Sequence, residues 1–199
     1  MGVDPNKVRL TGENSFLVLS EVQGGDPTLQ NSHWRIHHSP KGPGHVLFTR
    51  GAITGGRARI YSDNIALARW LQEGIQGSMR DTYAGSDLPV VDAEFERSGD
   101  SRSFWTERIE TAEQSIALTW YDFREPVAIA NAPGENPSQP HGVYSILIPA
   151  ERAQMTVDGV VAPGKVWPRL MGSTEITTCC LALSSETWTI PRDHPWANE

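Results

Sequence analysis

Residues 104–123 read FWTERIETAEQSIALTWYDF and alternate apolar and polar side chains twice, on either side of a short polar turn. A period of two is the signature of a β-strand with one buried face. Two such runs a few residues apart make a hairpin, here Phe104 to Thr111 and Ser115 to Phe123. Setting Ile109 against Ile116 puts Trp105 opposite Trp120 on one face and Glu107 opposite Leu118. Facing aromatic pairs of this kind stabilise a sheet by about 0.2–1 kcal/mol. Asp122 continues the parity of Leu118 and Trp120. The hairpin therefore predicts a sheet with carboxylates on its apolar side.

The same pattern recurs along the chain. Further strands are expected at 16–22, 33–38, 45–50, 57–61, 90–97, 127–130, 143–148, 153–161, 175–184 and 187–190, parted by Gly, Pro, Asn and Asp clusters. Asp158-Gly159 predicts a tight hairpin turn. One segment reads as helix. Ser62-Asp63-Asn64 supplies the N-cap, Ile65, Leu67, Ala68 and Leu71 line one face with Trp70 beside it, and Gly74 or Gly77 can end it. Residues 74–89 and 131–141 read as long loops able to cover a cavity, and residues 1–14 and 191–199 as irregular.

Many short strands and a single helix predict an all-β fold. The expected form is an antiparallel β-barrel of the lipocalin-like (calycin-like) kind with one short helix, with a two-sheet β-sandwich as the alternative. The glycine of the lipocalin GxW signature is missing at Asn31-Ser32-His33-Trp34. A chain of 199 residues is expected to form a single β-barrel domain over 1–199.

Composition narrows the function. The net charge is −7 with both signs interspersed, so no basic stripe offers itself to nucleic acid. No apolar run of 18 residues predicts a membrane span, and the N-terminus has no signal-like hydrophobic segment. The adjacent cysteines, Cys179 and Cys180, point to opposite faces of a strand and cannot pair with each other. Reduced, cytoplasmic residence is expected. No nucleotide-binding glycine loop is present and no nucleophile elbow surrounds Ser145, so no cofactor is expected.

The candidate site comes from polar residues at apolar positions. Glu107 sits between Trp105 and Ile109 in parity, Asp122 follows Trp120, Arg50 follows Phe48, and His38 follows Ile36. Buried charges must pair, neutralise or face a wet cavity. A barrel cavity holding all four would suit a cofactor-independent enzyme of lyase, isomerase or hydratase type. Asp122 or Glu107 would move the proton, His38 would assist, and Arg50 would hold an oxygen of an apolar, oxygen-bearing small molecule. Trp34, Trp105, Trp120 and Tyr144 would line that cavity. The same aromatics serve equally a non-catalytic protein that binds a small hydrophobic molecule. A structural reading stands beside both: Asp122 and Arg50 lie at strand ends, where charges emerge into solvent, and Glu107 can form a structural ion pair.

A third alternative is a histidine-ligated metal protein. His33, His37, His38 and His45 fall within thirteen residues, and Pro40, Gly42 and His45 resemble part of the second cupin motif without its leading Gly and closing Asn. On one strand His33 and His37 would stand about 13 Å apart, too far for one ion, which leaves His38 and His45. The expectation is a site without metal, a small hydrophobic partner, and a fold compatible with homo-oligomers.

Overall fold

The computed structural model describes residues 8–131, 142–183 and 186–189. Strands β1 (Val8–Ser20), β2 (Pro27–His38), β3 (Gly44–Gly51) and β4 (Arg59–Ser62) form an antiparallel meander. Helix α1 (Ile65–Leu71) follows, its first turn held by Leu67 N–H donating to Asn64 Oδ1 at 3.0 Å. It runs on through a wider π turn, Gln72–Gln76, and a last turn, Gly77–Met79. The predicted cap is therefore present, Gly77 marks the last turn, and Gly74 lies inside the π turn. The loop expected from residue 74 begins as helix.

Strand β5 (Val90–Asp92) lies parallel to β4. Then come β6 (Glu94–Gly99), β7 (Phe104–Glu110) and β8 (Ser115–Phe123), a second antiparallel meander. The β7–β8 register is the one the alternation predicts, with Trp105 opposite Trp120, Glu107 opposite Leu118, and Ile109 opposite Ile116. Strands β9 (Val127–Asn131), β10 (Val143–Val157) and β11 (Val160–Val161) follow. The β10–β11 turn is Asp158-Gly159, both at positive φ (51° and 78°), as a tight primed turn requires. Strands β12 (Pro168–Met171) and β13 (Thr174–Thr177) form a separate two-stranded hairpin, and β14 (Cys179–Ala182) and β15 (Glu186–Thr189) return to the main sheet.

The main sheet runs β5-β4-β3-β2-β1-β14-β10-β8-β7-β6, with β9 and β11 beside β10 and β15 beside β1. Its two edges, β5 and β6, are consecutive strands separated only by Ala93. The chain itself therefore spans the seam, and the sheet is nearly closed into a barrel. This is the all-β barrel class that the sequence predicts. The 175–184 segment proves to be two strands, and β1 begins at Val8, earlier than the expected 16. The tail at 191–199 and most of the 131–141 segment lie outside the described residues.

The interior of the barrel is packed. Leu17, Leu29, Leu47, Tyr61, Ile109, Ile116, Leu118, Trp120, Met155 and Leu181 form one cluster drawn from strands all round the sheet. A second core lies outside the wall, where Trp34, Ile36, Val46, Phe48 and Ile60 meet Leu67, Leu71, Ile75 and Tyr83 of the helical segment. Strands β2 and β3 are thus buried on both faces. A third, smaller cluster sits on the outer face of β14 and β10: Leu147, Ile176, Cys180 and Ala182, with Phe16, Ile129 and Met171 against it. Cys179 joins the barrel interior and Cys180 the outer cluster. Both thiols are free and buried, and burial pushes each up to about 12.

Replacing Trp120, which is fully buried and donates its indole N–H to the Phe16 carbonyl at 3.1 Å, should cost much of the barrel's stability. Trp120→Ala is expected to lower the unfolding free energy by about 3–5 kcal/mol. Urea denaturation followed by circular dichroism measures it.

Candidate functional site

Of the sequence-predicted residues Trp105 and Glu107 meet, and Asp122, Arg50 and His38 join neither them nor one another. Asp122 breaks the alternation it is expected to continue: its backbone sits at φ 56°, and its side chain is exposed and paired with Arg152 on the surface. A left-handed residue in mid-strand reverses facing, so Phe123 packs on the core in place of Asp122. Arg50 is also exposed, donating to the Gly56 carbonyl and to Thr82 Oγ1. His38 is exposed at the end of β2, opposite Thr11. Tyr144 is 47% exposed. Trp105 and Trp120 face the barrel interior, whereas Trp34 faces outward, beneath the helical segment.

Glu107 alone is where the pattern places it, fully buried inside the barrel. It is not a free acid. Arg35 donates to it at 3.0 Å, Arg97 at 2.5 Å, and the Trp105 indole N–H at 3.0 Å. Arg97 also pairs with Glu13 and stacks on Trp105, 4.3 Å from the ring centroid. Burial would raise the Glu107 pKa, but His33, Arg97, the Trp105 indole and Arg35 more than offset it and hold the carboxyl at about 2. Alternation alone points Trp34 and His38 inward, and the structure reverses the faces of β2. His33 and Arg35 point into the barrel, and Phe95 stacks on His33 at 5.8 Å and on His45 at 5.1 Å. Burial, offset in part by Glu107, lowers His33 to about 4. His33 is therefore neutral at physiological pH.

At the mouth above this cluster, His45 Nδ1 lies 2.5 Å from Asp63 Oδ2 and the His45 backbone N–H donates to Asp63 Oδ1 at 2.6 Å. Arg35, His37, His45, Asp63 and Asp92 edge an open depression there. Among the described residues no three His, Cys, Asp or Glu side chains are grouped as metal ligands. Among the described residues, too, no helix is long and apolar enough to cross a membrane.

A different site lies on the outer face of the sheet, where the wall is covered on one side by the helical segment and on the other by the β12–β13 hairpin. A cavity of about 370 Å³ opens between them. Its apolar lining is Phe16, Trp34, Met79, Ile129, Val143, Leu147 and Met171. One wall is a satisfied polar chain. Asn14 donates to Ser32 Oγ at 2.8 Å, and Ser32 and the Trp34 indole both donate to Gln76 Oε1 at 3.1 Å. Gln76 is the last residue of the π turn and is buried. Elsewhere the lining is unsatisfied: Ser145 Oγ, Arg80 Nη1 and Arg169 Nε are buried and have no hydrogen-bond partner among the described residues. Native interiors leave few such atoms, and three of the six found among the described residues line this one cavity.

Of these residues the sequence pattern singles out Trp34, and it raises Ser145 only as a hydrolase nucleophile. No local pattern singles out Arg80 or Arg169: Arg80 follows the largely polar segment QEGIQGSM, and Arg169 lies in the short run PRLM. Their convergence depends on the hairpin folding back over β10, which no local pattern encodes. Comparison with protein-family models, with curated proteins and with solved structures finds no match.

Acid should test the barrel cluster. The depressed His33 means that the unfolded chain takes up a proton the native one refuses. Stability is therefore expected to fall as pH drops from about 6.5 to 4. The depressed Glu107 extends the loss from about 4.5 to 2. Each contributes about 3 kcal/mol at ~1.4 kcal/mol per pKa unit. His33→Gln should flatten the first part of a urea-midpoint against pH curve and shrink the second, because the His33 charge helps to hold Glu107 low; an unchanged curve would contradict the assignment.

Proposed function

We propose that this protein is a non-catalytic binder of a small, largely apolar molecule, which it holds in the cavity between the barrel wall, the helical segment and the β12–β13 hairpin. The observation that carries this is a cavity with an apolar lining and three buried, unpartnered polar atoms. That is the make-up of a ligand pocket: apolar surface supplies affinity, and a few fixed polar groups supply orientation. Its volume lies at the small end of the usual range of about 300–1,000 Å³. The packed barrel interior supports the same reading, because Leu118, Trp120 and Met155 already fill the space that a lipocalin-like site would use. Free, buried thiols support a reducing, cytoplasmic setting.

The acid–base enzyme reading needs Asp122, Glu107, His38 and Arg50 in one cavity, and they lie in four places. One observation keeps an enzyme of that type as a second reading. The His45–Asp63 pair ties up Nδ1 and leaves Nε2 as the nitrogen that could carry a proton, at a mouth that Arg35 also lines. Turnover lost on His45→Gln, with the outer cavity intact, would favour it.

The binding reading is tested with a neutral apolar fluorophore, N-phenyl-1-naphthylamine. It should bind with one-to-one stoichiometry and be displaced by 1-decanol. Ile129→Trp, which fills the cavity from β9, should abolish the fluorescence gain without lowering the thermal midpoint. Undiminished binding to a folded Ile129→Trp protein would contradict the proposal.

A further inference from the structure

The molecule has two places where guanidinium groups gather away from bulk solvent, and they differ in charge balance. Inside the barrel Arg35 and Arg97 face Glu107 and Glu13, two cations against two anions. On the outer cavity Arg80 and Arg169 face no carboxylate: among the described residues neither forms an ion pair. Arg169 lies over the Phe16 ring at 4.9 Å, and Arg80 lies against the Tyr83 hydroxyl. Burial lowers the Arg80 pKa; Tyr83 opposes that, and the nearby charge of Arg169 adds to it. A guanidinium nonetheless keeps its proton at neutral pH. Two such charges sharing a partly dry pocket repel each other and leave donors unused, which is costly unless an anion enters between them.

Ser145 completes the arrangement. It is 3% exposed, its hydroxyl has no partner among the described residues, and it lines the same cavity. Planar guanidinium donors match a carboxylate or phosphate two bonds at a time, and a serine hydroxyl adds a third. The rest of the lining is apolar, with Leu147 and Met171 at hand for a hydrocarbon body.

Building on the reading that this cavity holds a small apolar molecule, we infer that the molecule carries an oxyanion head, a carboxylate or a phosphate monoester, seated between Arg80 and Arg169 with the Ser145 hydroxyl donating to it. A carboxylate offsets one of the two charges and a phosphate monoester nearly both, and either relieves the like-charge repulsion beneath the β12–β13 hairpin.

The test is titration calorimetry at pH 7.4 with four probes of one chain length: decanoate, decyl phosphate, 1-decanol and decylamine. One or both anions should bind at least about tenfold tighter than 1-decanol, and decylamine should bind weakest, because charge-assisted bonds in a desolvated site discriminate strongly. The tighter of the two anions identifies the head group. Arg169→Gln should weaken the anion about tenfold and shrink its advantage over 1-decanol. Equal binding of decanoate, decyl phosphate and 1-decanol to the native protein would overturn the oxyanion inference while leaving an apolar pocket in place. Binding of none of the four would overturn the pocket reading, and the inference with it. The probe series uses the unaltered protein, so its outcome does not depend on any variant folding.

Discussion

A buried carboxylate with three donors holds one end of this barrel together. Glu107 on β7 receives Arg35 from β2, Arg97 from β6 and the Trp105 indole, and Arg97 reaches on to Glu13 of β1. Strands β6 and β7 lie at one end of the sheet order and β1 and β2 at its middle, so the ion cluster ties together walls that no backbone ladder joins directly. Breaking such a pair by removing one member costs about 3–5 kcal/mol, because the remaining charge stays buried. The cluster also specifies register. A one-residue slip of β7 would send Glu107 to the outer face and leave two arginines facing each other inside.

That closure decides where open space remains. The polar end of the barrel is filled by Glu13, Arg35, Arg97, Glu107 and His33, and the other end by leucine, isoleucine and tryptophan side chains. The cavity proposed for the ligand is on the outer wall. There the strands are long enough to carry two layers of cover. Strand β10, with fifteen residues, passes β9, β14 and β8 in turn. The outer face of its first half, with that of β1 and β2, becomes the floor of the cavity. The helical segment and the β12–β13 hairpin each bury an apolar face on that wall and stop short of each other, which leaves the gap lined by Arg80 and Arg169.

Much of this is legible in the sequence, and the failures have identifiable causes. Strict alternation in β7 and β8 gives register to the residue, down to the Trp105–Trp120 pair. It fails at Asp122 because one left-handed residue reverses every side chain after it, and aspartate is among the few residues that tolerate that conformation. It misreads β2 because that strand is buried on both faces. With Trp34 apolar on one side and His33 and Arg35 on the other, alternation assigns the apolar face to the interior, yet that face packs under the helix. A histidine and an arginine inside a barrel are unreadable without knowing that Glu107 waits across it. The cavity residues are hidden for another reason. Arg80, Ser145 and Arg169 are far apart in sequence and each sits in a different element, so only tertiary structure joins them.

The most direct measurement is a methyl NMR titration of protein labelled at its methionines, with decanoate as the probe. Met79 and Met171 line the outer cavity, whereas Met155 is fully buried in the barrel interior. The account predicts saturable shifts at the Met79 and Met171 methyls with Met155 unmoved. Shifts confined to Met155 would place the ligand inside the barrel and contradict it.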